Sequence, residues 1–358
     1  MILLTFSAFV CAVKLKFWRK DLQLAHTWTI ARGSADLYPV SLVELADADG
    51  TIGLGEASPT PRYNESVDTV EAFCRKADAA RLSFDDVPRS MSYLETLAPG
   101  NLSAKCALNV ALLDGAAKRA RKPLHDFLGL GFRENRHVTS FSIGIDKPAV
   151  IRKKVLAAAN YPVLKLKVGS PDDEANLAAL RGAAPAKPVR VDANEAWTTK
   201  ELALEKIEWL ARDPQIQFVE QPMPAAADRK DLVWLKKRSP LPLFADESYH
   251  RAEDAAHCAE GYHGVNVKLV KTGGLSAGFE ALRAAREVGM KTMIGCMIET
   301  SVLISAAAHL AELCDFLDVD GNLLITNDPY FGVAAENGVL SFAHAPEKFG
   351  LRVCVRSG

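Results

Sequence analysis

Three acidic residues each close a short apolar run. Val189-Arg190-Val191 leads to Asp192, Gln217-Phe218-Val219 to Glu220, and Leu243-Phe244-Ala245 to Asp246. The intervals of 28 and 26 residues are each about one strand-plus-helix unit, which places the three carboxylates on adjacent strand ends. Converging oxygen ligands with open positions suit Mg2+ better than Zn2+ or Cu2+. Any one of these acids alone could simply cap the helix after its strand; three in register on consecutive units argue for a hard cation. In Lys165-Leu166-Lys167, strand alternation sends both ammonium groups to one face. Their repulsion, partial desolvation and a nearby metal should lower the pKa of Lys167 and let it serve as a base. The competing reading is a solvent-facing pair on an edge strand, but Leu164, Leu166 and Val168 point to a strand with two buried faces. Asn266-Val267-Lys268, followed by Lys271-Thr272-Gly273-Gly274, closes another run and projects Lys268 inward four strands on from Lys167. Two candidate bases then face each other. Asp318 and Asp320 alternate onto one face of Phe316-Leu317-Asp318-Val319-Asp320-Gly321 and suit a cationic group. An Asp-Gly turn would explain Asp320 but not Asp318.

Positioning these groups requires parallel strands whose C-terminal ends meet. From about Thr139, eight apolar runs (141–145, 163–168, 189–191, 216–219, 241–245, 264–267, 291–294 and 316–319) alternate with helix-length segments. This predicts a (β/α)8 barrel over residues 136–333. Before it, runs at 13–18, 40–45 and 52–56 read as an antiparallel meander, and 65–130 turns helical, with a long helix over 105–121. Residues 1–135 are therefore expected to form an α+β capping domain. The strand-like tail, 334–358, is expected to return to that domain and complete its sheet.

Apolar residues make up 49% of the 358 and charged residues 24%, which excludes a disordered chain or a membrane bundle. A formal charge of -1 without long basic runs makes nucleic acid an unsuitable partner. The seven cysteines are scattered, odd in number and without a CxxC pair, which fits a reducing, cytoplasmic setting and excludes a disulfide framework or structural zinc. The apolar opening 1–13 lacks a preceding basic region and is too short to span a bilayer. It fits a buried first strand, a start codon placed early, or a degenerate signal peptide that would allow export.

Leu164 to Gly169, Asp192-Ala193-Asn194, Glu220-Gln221-Pro222, Ala245-Asp246-Glu247-Ser248 and Asn266 to Gly274 closely resemble the enolase superfamily in its muconate-lactonising subgroup. The likeness extends over nearly the whole chain and includes Gly55-Glu56-Ala57-Ser58-Pro59. It implies Mg2+ held by Asp192, Glu220 and Asp246, Lys167 and Lys268 as acid and base on opposite faces of a substrate α-carbon, and Lys165 helping to hold the substrate carboxylate. It also implies a metal-stabilised enediolate and a homo-oligomer. The Asp318/Asp320 pair resembles the Asp-x-Asp signature of dipeptide epimerases, where it would receive the terminal ammonium of a dipeptide. Ser142, Cys296 and Met297 match positions near the substrate in that family. Loops around 29–36 and 59–64 would select the side chain. Arg32 could meet a glutamate, as in the recycling of murein peptides, or Trp28, Tyr38 and Tyr63 could build an apolar pocket. Related readings are an N-acylamino-acid racemase, o-succinylbenzoate synthase or muconate cycloisomerase, none of which has a free ammonium to bind. A catalytically silent scaffold is disfavoured by the burial of so many charged groups together.

Overall fold

A computed structural model describes residues 13–356. The expectations for the apolar first twelve residues lie outside that range.

The capping domain is an antiparallel sheet in the order β1 (Lys14–Ile30), β2 (Gly33–Ala46), β3 (Ile52–Ala57), covered by helices α1 (Val67–Lys76), α2 (Val87–Leu97) and α3 (Leu102–Arg119). Small residues set the approach of β3 to α3. A Cβ on Gly53 or Gly55 would stand 2.0 or 1.9 Å from the carbonyl oxygens of Ala111 or Ala107, so only glycine lets the strand lie this close. The other side of α3 touches the barrel, where Asn109 donates to Ser276 Oγ at 2.9 Å and accepts from its backbone N–H at 3.0 Å. Wedged between two partners, α3 is buried along most of its circumference.

β1 and β2 are longer than the sequence pattern suggests. They form one hairpin whose turn is Ala31-Arg32, so the segment 29–36 is the tip of a β-ribbon and not a loop. The ribbon is interrupted between Gln23 and Trp28, and there it pairs with the barrel: Ala25 N–H donates to Leu324 O at 2.9 Å and Thr326 N–H to Gln23 O at 2.8 Å. Its tip is thereby held over the barrel mouth, where Ile145 N–H donates to Thr29 O at 2.8 Å.

Eight parallel strands follow: β4 (Phe141–Ile143), β5 (Leu164–Lys167), β6 (Val189–Asp192), β7 (Ile216–Glu220), β8 (Leu243–Ala245), β9 (Gly264–Lys268), β10 (Lys291–Gly295) and β11 (Phe316–Asp318). They pair in chain order, and a bridge between Thr139 and Leu317 closes the circle, as the alternating pattern predicted. Register aligns the mouth in two rows, Lys167–Asp192–Glu220 and Lys268–Gly295–Asp318. Beyond the barrel, the tail meets the cap at α3 through Leu351 N–H, which donates to Asp114 Oδ1 at 2.7 Å. Its short strands pair with Tyr330–Phe331 and with one another, and among the described residues none joins β1–β3. No helix among the described residues is long and apolar enough to cross a membrane.

Candidate active site

Asp192, Glu220 and Asp246 stand at the ends of β6, β7 and β8, each at most 1% exposed, and each offers one oxygen within 4.8 Å of the others. None caps a helix. The helices after β6 and β7 are capped instead by Thr199 and Asp228. The backbone holding the acids is bent: Asn194, Glu195 and Gln221 all have positive φ, an uncommon state for non-glycine residues. In return, the turns tie adjacent strands together. Glu195 N–H donates to Gln221 O at 2.9 Å, and Gln221 Oε1 accepts the Asp246 N–H at 2.9 Å.

Lysines surround the acids. Lys167 Nζ donates to Asp192 Oδ2 at 2.6 Å and Lys268 Nζ to Asp246 Oδ2 at 2.7 Å. Lys165 Nζ sits among Asp318 Oδ2 at 2.6 Å, Glu220 Oε2 at 2.8 Å and Asp192 Oδ2 at 3.1 Å. The expected repulsion between Lys165 and Lys167 is thus relieved by Asp192, which lies within reach of both. For Lys268, burial alone would pull the pKa down, but Asp246 and other carboxylates outweigh burial and hold it well above the ordinary lysine range. Asp192 and Asp246 feel burial in the opposite sense and are nonetheless held well below the ordinary range, by Lys167 and Lys165 in one case and Lys268 and Lys271 in the other. Glu220 is pushed up to about 7 by burial and by Asp192. Its Oε2, although close to Lys165, accepts no hydrogen bond. Three buried carboxylates packed together, one of them with an oxygen that is ion-paired but accepts no hydrogen bond, are a donor set suited to a divalent cation.

Above this layer lies a cavity of about 360 Å3, a size suited to a small ligand, bordered by Lys165, Lys167, Lys268, Ser142, Cys296, Met297, Asp318, Asp320 and Arg32. Asp318 and Asp320 are 4% and 2% exposed, deeper than a solvated turn would place them. Ser140 Oγ donates to Asp318 Oδ1 at 2.7 Å, and the Ser142 backbone N–H donates to Asp320 Oδ2 at 2.6 Å. Burial tends to raise Asp318, but Lys165 holds it below the usual carboxylate range; Asp320, lacking such a partner, is pushed up to about 7 by burial and Asp318. Trp28, Ile30, Tyr38 and Tyr63 form the cap's side of the cavity. Arg32 reaches it as well, but its Nη1 donates to Glu247 Oε1 at 2.7 Å, Asn194 O at 3.0 Å and Glu195 Oε2 at 3.2 Å. Glu195 also binds Arg62 at 2.7 Å. Sequence reasoning assigned no role to Glu195, Glu247, Gln221, Asn266 or Lys271. For Asn266 the signal was available, since alternation places it on the same face as Lys268.

Residues 150–354 match the enolase C-terminal domain-like family, and residues 13–129 match the mandelate racemase / muconate lactonizing enzyme N-terminal domain. The chain belongs to the enolase superfamily. An L-Ala-D/L-amino acid epimerase of Pedosphaera parvula is 68% identical, over 95% of this chain and 99% of its own length. The L-Ala-D/L-Glu epimerase of Bacteroides thetaiotaomicron is 37% identical, over 93% of this chain and 86% of its own. Among solved structures, the dipeptide epimerase of Cytophaga hutchinsonii complexed with Mg and D-Ala-L-Val superposes with a TM-score of 0.89 at 26% identity, covering 97% of this chain and 96% of that one.

Proposed function

We propose that this superfamily member is a Mg2+-dependent dipeptide epimerase that inverts the α-carbon of the substrate's C-terminal residue by proton transfer between Lys167 and Lys268. It is an isomerase of the racemase and epimerase type, as are the relatives above. The observation that carries the finer reading is one cavity bordered by two lysines from opposite sides of the barrel, with a buried Asp318/Asp320 pair beside them.

Asp192, Glu220 and Asp246 would hold the cation. A divalent cation there would supply positive charge to offset the negative charge that develops at the substrate carboxylate when the α-proton leaves. Lys165 would hold that carboxylate from the barrel interior. One of the two facing lysines, neutral, takes the α-proton; the C–H electron pair moves toward the carboxylate. The other lysine, as an ammonium, then donates its proton to the opposite face of the same carbon. Both lysines exchange roles for the reverse direction, so configuration inverts with no net consumption of protons.

Asp318 and Asp320 would receive the ammonium of the N-terminal residue, two anions held in place by Ser140 and the Ser142 N–H. This requirement separates a dipeptide from an N-acylated amino acid, which offers no cation there. At the cap's side of the cavity, the charges of Arg32 and Arg62 are balanced by Glu195 and Glu247, while Trp28, Ile30, Tyr38, Ile298 and Leu324 supply apolar wall. A free guanidinium would reward a glutamate side chain. One already shared by two carboxylates rewards it less, so uncharged side chains after an N-terminal alanine are the expected substrates.

Incubation with Mg2+ in D2O and a pooled library of L,L-dipeptides and N-acyl-L-amino acids, read as 2H at the α-carbon by mass spectrometry, tests the assignment. Exchange confined to dipeptides with free ammonium supports it. Exchange of N-acylamino acids with none in any dipeptide would replace it with the racemase reading.

A further inference from the structure

Each acid at the mouth has two oxygens, and they face different neighbours. In Asp192, Oδ2 faces Lys167 and Lys165, while Oδ1 accepts the Asn194 backbone N–H at 2.9 Å. In Glu220, Oε2 faces Lys165, while Oε1 accepts Asn266 Nδ2 at 2.7 Å. In Asp246, Oδ2 accepts from Lys268, while Oδ1 accepts from Lys271 Nζ. Every carboxylate thus has one oxygen turned toward the lysines and one anchored from behind.

Two of the three anchors are side chains, and they are linked. Lys271 Nζ also donates to the carbonyl oxygens of Asp246 and Asn266, the latter at 3.1 Å. Lys271 is 1% exposed and Asn266 fully buried, and neither borders the 360 Å3 cavity. The neighbouring strand leaves room for this arrangement: a Cβ on Gly295 of β10 would stand 2.6 Å from Asn266 Oδ1 and 2.7 Å from Nδ2.

We propose that Lys271 and Asn266 are positioning residues that fix the rotation of the Asp246 and Glu220 carboxylates, and so set the affinity of the three-acid site for Mg2+. The inference rests on the reading that these acids hold a divalent cation. A carboxylate free to turn must be ordered when the cation binds; one whose far oxygen is already engaged presents the near oxygen without that cost. A buried ammonium behind Asp246 has a second consequence. It is placed to orient an anion and does not border the 360 Å3 cavity, so Lys271 takes a positioning role and not that of a third acid or base despite its closeness to Lys268. Simple electrostatics makes the opposite forecast, because a cation close to the site should repel Mg2+, and its removal should tighten binding.

The test is titration of metal-free protein with Mg2+ by calorimetry, using wild type, Lys271→Met, Asn266→Ala and, as a control, Asp246→Asn. Lys271→Met and Asn266→Ala are expected to bind Mg2+ about 10- to 100-fold more weakly. Saturating Mg2+ should restore most of the Asn266→Ala turnover, with an unchanged pH profile. Affinity equal to or tighter than wild type in both variants overturns the proposal while leaving the metal reading intact. Absence of Mg2+ binding in wild type, or wild-type affinity in Asp246→Asn, overturns the metal reading itself. Thermal melting identifies any misfolded variant, and should Lys271→Met not fold, Asn266→Ala decides alone.

Discussion

On three strands of the barrel interior, residues two apart in the chain form an inner and an outer layer of opposite chemistry. Phe218 precedes Glu220 on β7, Phe244 precedes Asp246 at β8, and Phe316 precedes Asp318 on β11, each pair on one face by alternation. The inner members form their own apolar cluster with Met293, separate from the main core. Phe218 stacks on Phe244 with centroids 4.1 Å apart, and Phe316 meets both edge-on at 5.2 and 5.6 Å. The outer members are carboxylates paired with lysines. The Phe218 and Phe316 rings also meet the buried Arg190 guanidinium, 5.8 and 5.0 Å from their centroids, so the inner layer combines aromatic rings with one enclosed cation. In the outer layer, burial and the neighbouring Asp192 push Glu220 up to about 7. If the outer layer carries the proposed activity and the inner rings carry stability, substitutions in one layer should affect a different measurement from substitutions in the other.

The sharpest test lies in the outer layer. Lys167→Ala and Lys268→Ala should each reduce inversion by roughly 10²- to 10⁴-fold with melting temperature nearly kept, measured by polarimetry and circular dichroism; full activity in either refutes a two-base mechanism. In the inner layer, Phe218→Ala should lose about 3–5 kcal/mol of stability in a denaturant titration. If instead it melts like wild type and loses turnover, the division between layers fails. Asp318→Asn and Asp320→Asn are expected to raise KM by roughly 10-fold or more, from loss of a charge-assisted hydrogen bond of about 1.5–3 kcal/mol, with a smaller change in kcat. An unchanged KM would move the ammonium site elsewhere. The smallest effect concerns pH. Asp320, raised to about 7, is a carboxylate above that pH and a neutral acid below it. KM should therefore rise as pH falls through about 7, and Asp320→Asn should flatten that dependence; an acid-side rise of the same size in the variant would assign it to another group.

Much of the site was legible because it depends on short-range rules. An acid or lysine that ends an apolar run must sit at a strand end, and two residues at i and i+2 must share a face, whatever the rest of the chain does. Asp192, Glu220, Asp246, Lys167, Lys268 and the Asp318/Asp320 pair follow from those rules and from the spacing of one strand-plus-helix unit. The cap hairpin does not. Residues 19–27 show little apolar alternation, because part of the ribbon is stabilised by backbone pairing with residues 324–326, some 300 positions away. Backbone hydrogen bonds leave no imprint on side-chain type.

The same reason separates what the sequence determined alone from what required the folded chain. Composition, alternation and spacing determined the barrel, its strand order and the acids and lysines at its mouth. Tertiary structure alone decided which partner each charge meets: that Arg32 is shared by Glu247 and Glu195 and not left free for a substrate, that Lys165 stands among three carboxylates, and that Lys271 and Asn266 face the acids from behind. Electrostatic and hydrogen-bond partnerships are set by distance and angle across strands, quantities that exist only once the barrel has closed.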